Sequence, residues 1–327
     1  MQNNLSDDAF FYMCVLDGSG GCQDLNKNEL ANWKSEKGVL WLDLNYSHHT
    51  TQNWLRKKSG LEDIICEALL AEETRPRVVQ YGKGLLIVLR GVNLNPGATP
   101  DDMVSIRIWT DENKIISTRL RHLLSIADMR ELLEDHKGPV NSAEFIVELS
   151  RRLVWRMSDT IDNMEDLIAE LEDKVLTAES AELRFDLSLL RRQIITLRRY
   201  LAPQRDALSR LNLQTVSWFG ENNRIEIREI GDRLTRHIED LDAVRERAAV
   251  TQEELLSRLS EHLNNRIYIL SLIAAIFLPL GFLTGLLGVN IGGIPGADNP
   301  WAFSIFIVIL FIIVGFQIWL FRLKKWF

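Results

Sequence analysis

Two long uncharged stretches near the carboxyl-terminal end constrain the fold of this chain more than any other feature. Residues 267–287 contain no ionisable side chain apart from the weakly acidic Tyr268, and residues 301–321 contain none. A helix of about 20 residues matches the roughly 30 Å hydrocarbon core of a bilayer. Two such stretches in tandem therefore predict two membrane-spanning helices, in residues 266–327, rather than buried core helices of a soluble protein.

The charges that flank these stretches predict their orientation. Arg266 precedes the first span, and Arg322, Lys324 and Lys325 follow the second. The connecting loop, 288–300, has no Lys or Arg and a single acid, Asp298. Because basic residues accumulate on the cytoplasmic side of a membrane, both termini are predicted to be cytoplasmic and the loop to lie outside.

The amino-terminal part, 1–140, has the mixed pattern of a cytoplasmic α/β domain. Short β-rich runs occur at 10–16, 39–44, 85–92, 103–109 and 115–118, with glycine-rich turns between several of them. Residues 47–73 favour helices, with Thr50 or Thr51 as the predicted cap. The predicted fold is therefore an α+β membrane protein with a compact α/β domain ahead of its helices.

Residues 141–265 are predicted to form a stalk of long helices. Apolar residues recur every three or four positions from Phe145 to Val175, and a second helical stretch runs from about residue 179 to Pro203. From residue 221 onward no proline occurs before Pro279. A single helix over 221–287 would be on the order of 100 Å long at about 1.5 Å per residue. Such a stalk needs partners to bury its apolar stripe, which predicts an oligomer.

The two spans differ in the side chains they present. The second is almost purely Ile, Phe, Leu and Val, which favours contact with lipid, whereas the first has small or weakly polar residues along one stripe. That stripe, with its continuation into the stalk, consists of Gly285, Gly281, Leu278, Ala274, Ser271, Ile267, Asn264, Ser260, Ser257 and Glu253. Small residues in membranes usually indicate close helix packing, and they can also line a narrow ion path around a shared axis. The pattern alone leaves both interpretations open.

The junction after the first span carries a family resemblance. Gly288-Val289-Asn290 and the following Gly-Gly-Ile-Pro-Gly loop lie between a proline-containing span and a last span that ends in Arg and Lys. This arrangement resembles the CorA superfamily of divalent-cation channels and transporters, whose outer loop opens with Gly-Met-Asn. The Gly-Val-Asn variant, the run Arg198 to Asp206 and the Glu-Thr-Arg-Pro-Arg run at 73–77 look like its bacterial zinc-transporting branch. The likeness covers nearly the whole chain.

This resemblance implies a funnel-shaped homopentamer in the bacterial inner membrane, with an inner ring of first spans and an outer ring of second spans. Gly288, Val289 and Asn290 would form the pore mouth and the selectivity site. Neutral amide and main-chain oxygens would bind a hydrated dication weakly enough to release it, whereas thiolates or imidazoles would trap zinc. The expected cargo is zinc or another divalent cation, with no cofactor.

Three further roles are predicted along the path. Leu278 and Gly281 would form its narrow part, Pro279 would act as a hinge because it removes a backbone donor, and Glu253 and Asp298 would attract cations. The expected partners are other copies of the chain, membrane lipid, divalent cations and protons as a coupling ion. No acid or histidine within either span identifies a proton carrier, so the coupling ion stays open.

Several other functions are weighed against this one. A magnesium or cobalt channel is the nearest alternative, and a membrane-tethered scaffold or sensor is an alternative of another class. No nucleotide-binding loop, zinc-protease motif or nucleophile with a base is visible, which argues against an enzyme. A net charge of −7 argues against nucleic acid as a partner. The three cysteines form no C-x-x-C pair, and reduced, buried thiols are expected.

Overall fold

The computed structural model describes residues 9–177, 181–289 and 299–323. Within these residues, the amino-terminal part forms one mixed seven-stranded sheet. Its strands are β1 (Phe10–Leu16), β2 (Cys22–Asp24), β3 (Val39–Asn45), β4 (Arg77–Tyr81), β5 (Gly84–Gly91), β6 (Val104–Thr110) and β7 (Lys114–Arg119). They lie in the order β2-β1-β3-β7-β6-β5-β4, with β3 and β7 parallel and the other neighbours antiparallel. The five predicted strands are confirmed, and the two that were not predicted form the edges.

A buried ion pair lies at the parallel centre of the sheet. Asp43 on β3 is fully buried and accepts hydrogen bonds from Nε of Arg119 and the hydroxyl of Ser117, both at 2.8 Å. Burial raises the pKa of Asp43 although the guanidinium beside it acts in the opposite direction. Trp41 donates its indole N–H to Ser117 at 3.1 Å. These four polar side chains are thus paired with one another, as burial requires.

Four short helices complete the domain: α1 (Lys27–Ala31), α2 (His49–Lys57), α3 (Asp63–Leu70) and α4 (Leu124–Glu134). The predicted cap at Thr50 or Thr51 is wrong. His48 caps α2, because its Nδ1 accepts the backbone N–H of Thr50 at 3.1 Å. The hydroxyl of Thr51 instead donates to the buried carbonyl of Ala9 at 2.8 Å.

Four long helices follow: α5 (Ser142–Thr177), α6 (Ala181–Asn212), α7 (Glu221–Leu287) and α8 (Ala302–Leu323). The prediction of one helix over 221–287 is confirmed. Arg151 contacts Glu226, and Arg247 donates to Glu172 at 2.6 Å, and both pairs are separated by 75 positions. A constant separation means that α5 and the start of α7 run parallel.

The helix that was predicted to end at Pro203 continues to Asn212. Proline removes one donor and crowds the preceding turn, so it usually ends or bends a helix. Here the buried stripe passes through it without a break, since Leu201, Gln204 and Leu208 are each about 1% exposed. Packing on that face holds α6 together past the proline.

The structure shows which part of α7 leaves its apolar side chains uncovered in the single chain. The apolar stripe of α7 between Ile227 and Ala248 is buried within the single chain, so this part needs no second copy. Beyond Leu255 the helix is largely exposed, with Leu263 at 59% and Ile267 at 61%. The later part of α7 is therefore the part whose apolar side chains need a partner to cover them, and the oligomer stays a prediction.

The two family motifs of the soluble part meet at Arg90 on β5. The guanidinium of Arg90 donates to the carbonyl of Thr74 at 2.8 Å and lies 4.0 Å from the ring centre of Tyr200. The backbone N–H of Arg90 donates to Oε1 of Gln204 at 2.7 Å. One residue thus joins the 73–77 segment and α6.

The chain divides into two compact units, Met1–Gln252 and Glu253–Phe327, and the division falls within α7. The functional boundaries predicted near residues 140 and 265 stay predictions. Helix α5 begins at Ser142.

Candidate ion path on the membrane helices

Among the described helices, two are long and apolar enough to cross a bilayer: α7, through its carboxyl-terminal part, and α8. None of the residues in the most apolar window of either helix is buried within the chain. A core helix of a soluble protein would bury such a surface. The exposed apolar surface is therefore suited to lipid or to other copies of the chain.

One face of the membrane part of α7 is covered by α8. The half-buried residues on α7 are Leu272, Ala275, Ile276, Pro279, Leu280 and Leu283. Those on the middle of α8 are Phe306, Ile307, Leu310, Ile313, Val314 and Gln317. A hydrogen bond of 3.3 Å from Nε2 of Gln317 to the carbonyl of Ala275 joins the two stripes. Helix α8 thus has two different faces, rather than contact with lipid all round.

The predicted path stripe lies on the other side of α7. Every residue of that stripe, from Glu253 to Gly285, is exposed in the single chain, and Leu278 is 73% exposed. At about 100° per residue, the stripe lies roughly 150° around the helix from the face that α8 covers. A methyl group added at Gly281 or Gly285 would meet nothing within 4 Å. The small residues therefore do not serve close packing of α7 against α8 within one chain.

The end of α7 requires glycine at position 288. The N–H of Gly288 donates to the carbonyl of Thr284 at 2.9 Å, which closes the last turn. A Cβ at this position would lie 2.7 Å from that same carbonyl oxygen, closer than real side chains approach. Val289 follows, 44% exposed. The other predicted residues of the mouth and loop, Asn290 and Asp298, lie outside the described residues.

An Asx turn precedes helix α8. The side-chain oxygen of Asn299 accepts the backbone N–H of Trp301 at 2.9 Å. The hydroxyl of Thr284, near the end of α7, is satisfied by the carbonyls of Leu280 and Gly281 at 2.9 and 3.1 Å. Polar groups at these helix ends are therefore engaged locally, as a low-dielectric surrounding demands.

Metal ligands of the usual kind do not converge in the part of the chain that the structure describes: no group of three or more His, Cys, Asp or Glu is placed to hold an ion. The stripe offers hydroxyl, amide and main-chain oxygens instead. Oxygens of this kind suit a hydrated ion that passes and is not retained.

A thiol cluster on β1 and β2 was not predicted. The hydroxyl of Tyr12 lies 3.1 Å from Sγ of Cys22. A hydrogen bond from Cys14 is the main cause that lowers the pKa of Cys22 to about 7, and it raises that of Cys14. All three cysteines are free, and Cys14 and Cys66 are buried as expected, but Cys22 is only half-buried. The spacing of eight residues gave no signal because a turn and strand pairing bring the thiols together.

An α/β domain followed by long helices and two apolar carboxyl-terminal helices defines a class of two-span membrane transport proteins. Residues 36–325 match the family described as "CorA-like Mg2+ transporter protein". The chain belongs to this family, and it is a divalent-cation transporter and an integral membrane protein.

Individual relatives agree with this assignment. The chain is 42% identical to the divalent cation transporter CmaX of Pseudomonas aeruginosa over 322 residues, 97% of each chain. It is 40% identical to the zinc transport protein ZntB of Pectobacterium atrosepticum over 311 residues, 95% of this chain and 94% of that one. These relatives are named as transporters and not as enzymes.

Solved structures share the fold. The structure of full-length CmaX matches with a TM-score of 0.87 and 40% identity, over 99% of this chain and 100% of that one. The CorA magnesium transporter of Methanocaldococcus jannaschii matches with a TM-score of 0.83 over 97% and 99%. At 21% identity, this second likeness concerns the fold alone.

Proposed function

We propose that the chain forms a homopentamer that conducts zinc through a path lined by the exposed stripe of α7. The observation that carries this proposal is the division of α7 into two faces. One face contacts α8, and the other combines small and weakly polar residues that are exposed in the single chain, with open space at Gly281 and Gly285. A symmetric ring of α7 helices would turn the second face inwards and leave α8 outside.

The outer surface of α8 supports this arrangement. On the sides of α8 away from α7, Phe311 is 75% exposed, Ile312 is 64% exposed and Phe316 is 57% exposed. Large apolar side chains that are exposed to this extent favour contact with lipid acyl chains. Membrane lipid is thus the proposed neighbour of α8, and α7 is the proposed neighbour of other copies of itself.

The proposed pore mouth is Gly288-Val289-Asn290. Gly288 ends α7 without a side chain, so main-chain oxygens at this level can approach a central axis closely. Amides at position 290 would add neutral oxygen dipoles, which replace outer-shell water of a dication without binding it tightly. Selection would act on a largely hydrated ion, so discrimination between zinc and other small dications should be modest.

The proposed orientation places both termini in the cytoplasm, in a bacterial inner membrane. It rests on Arg266 and Arg322 together with Lys324 and Lys325, which flank the spans on one side. Glu253, exposed at the amino-terminal end of the stripe, would raise the local cation concentration there. Asp298 would do so in the outer loop.

The decisive experiment is cation uptake into liposomes that contain the purified protein. Zinc and magnesium are compared, with and without a pH gradient. We expect zinc entry, with smaller differences between dications than a thiolate site would give. Faster magnesium entry would favour a magnesium channel, and zinc entry that ignores the pH gradient would exclude protons as the coupling ion.

A pair of asparagine variants separates transport from a scaffold role. Asn290→Ala should reduce flux at least tenfold, whereas Asn265→Ala, on the side of α7 away from the stripe, should leave it within about twofold, a factor of ten being about 1.4 kcal/mol. Equal flux in both variants would contradict the proposed mouth. Absence of flux in the unaltered protein would favour the membrane-tethered scaffold.

A further inference from the structure

The apolar part of α7 contains a backbone carbonyl that its own helix cannot satisfy. In an α-helix the carbonyl of residue i accepts the N–H of residue i+4. The acceptor that corresponds to position 279 is the carbonyl of Ala275, but Pro279 has no N–H to donate. In the hydrocarbon core no water is present to replace that donor, so the carbonyl needs another partner.

The missing donor is supplied by α8. Nε2 of Gln317 lies 3.3 Å from this carbonyl oxygen of Ala275, although the two residues are 42 positions apart. Since a carbonyl can only accept, the amide must present its NH2 group to Ala275. Its Oε1 is buried and has no partner among the described residues. The amide thus donates to this carbonyl although its own oxygen is left unpaired.

We propose that Gln317 is a positioning residue for cation transport, whose amide replaces the N–H that Pro279 removes and holds the weakened turn of α7 against α8. The proposal rests on the proposed role of α7 in lining the path. Leu278 and Gly281, on the path face, lie within two residues of Pro279. A turn that is free to bend at Pro279 would move both residues relative to the axis, and the bond from Gln317 limits that movement.

A general role as an adhesive between the helices is the simpler alternative, and it makes a different prediction. An adhesive bond would matter equally whatever residue is at position 279. A substitute for a missing donor matters only while the proline is there, because Pro279→Ala restores an N–H that can reach Ala275. The two explanations therefore differ in the coupling between the two positions.

The test is a double-mutant cycle on the full-length protein in liposomes, with zinc uptake as one measurement. Gln317→Met keeps the length of the side chain but removes its donor. Interhelical hydrogen bonds in membranes correspond to factors of about threefold to fifteenfold. We expect Gln317→Met to change flux by such a factor in the native background and by less than about twofold in the Pro279→Ala background. Gln317→Asn, which is shorter, should behave like Gln317→Met.

A second measurement does not depend on transport. Amide hydrogen exchange, followed by mass spectrometry, should become faster in the peptide around Pro279 when Gln317 is changed, and should return to the native rate when Pro279→Ala is added. Ser304→Ala, the matched loss of a second uncharged polar side chain on α8, should alter neither measurement. Equal effects of Gln317→Met in both backgrounds, or no effect on exchange, would overturn the proposal. Exchange that follows the expected pattern in a protein without zinc flux would instead refute the proposed function.

Discussion

Replacing glycine by alanine on α7 tests the proposed ion path most directly. Gly281 is on the exposed stripe, and an added methyl would meet nothing within 4 Å in the single chain. Alanine also favours a helix over glycine by about 1 kcal/mol. Gly281→Ala should therefore leave the fold of each chain intact or strengthen it. Any loss of transport must then come from what the face meets in the assembly.

The size of the effect follows from geometry. Each methyl extends about 1.5 Å from the helix, so five methyls that point to the axis would reduce the radius of the path by about 1.5 Å and its diameter by about 3 Å. A zinc ion with one water shell is about 7 Å across, from a metal–oxygen distance of about 2.1 Å and a water radius of about 1.4 Å. A path that just admits this ion would lose about one layer of water. We expect zinc flux to fall at least tenfold, or about 1.4 kcal/mol.

The matched control is Gly315→Ala on α8. Gly315 is exposed on the face of α8 away from α7, and a methyl there also meets nothing within 4 Å. Both variants gain the same helix propensity, and only Gly281 is on the stripe. Fluxes are compared in liposomes at equal protein content, after size-exclusion chromatography has shown the same oligomer. Unchanged flux in Gly281→Ala, or an equal loss in Gly315→Ala, would refute the proposed lining.

Two further predictions concern groups with shifted pKa values. Cys22, with its pKa lowered to about 7, should react with iodoacetamide before the other thiols, at a rate that rises as the pH passes through 7. Tyr12→Phe should slow this reaction at pH 7, since it removes a donor to the thiolate; equal labelling of all thiols by mass spectrometry would contradict the assignment. Burial lowers the pKa of His237, so below its ordinary value near 6.5 the unfolded chain binds more protons than the folded one. Thermal stability should therefore fall as the pH decreases from about 7 towards 5, and His237→Phe should flatten that dependence, whereas an unchanged slope would show that other groups cause it.

The strands that could be predicted from the sequence are those with buried side chains. β5 is buried along nearly its whole length, and its residues 85–89 form a continuous apolar run. β2 and β4 lie at the two edges of the sheet, where most of their side chains are exposed or half-buried. A strand whose side chains are mostly exposed or half-buried gives a weak periodic signal because few of its positions need to be apolar. The missed strands are thus the ones that tertiary pairing, and not local composition, defines.

The same distinction explains the predictions about prolines and partners. Pro203 was interpreted as a helix end from its local chemistry, but packing of Gln204 and Leu208 keeps the helix intact. The apolar stripe at the start of α7 was assigned to an oligomer, although it is buried within the single chain. Sequence periodicity indicates that a face is buried; it does not indicate which surface buries it.

The pairing of Pro279 with Gln317 shows how two unfavourable residues become compatible in a membrane. A proline in an apolar helix leaves a carbonyl without a donor, and a glutamine in an apolar helix carries donors without an acceptor. Each would be costly alone in hydrocarbon. On the facing helix, the NH2 group of Gln317 donates to the carbonyl of Ala275, 42 positions away, which Pro279 leaves without its usual donor. The sequence shows both residues, but only the approach of the two helices reveals that each accounts for the other.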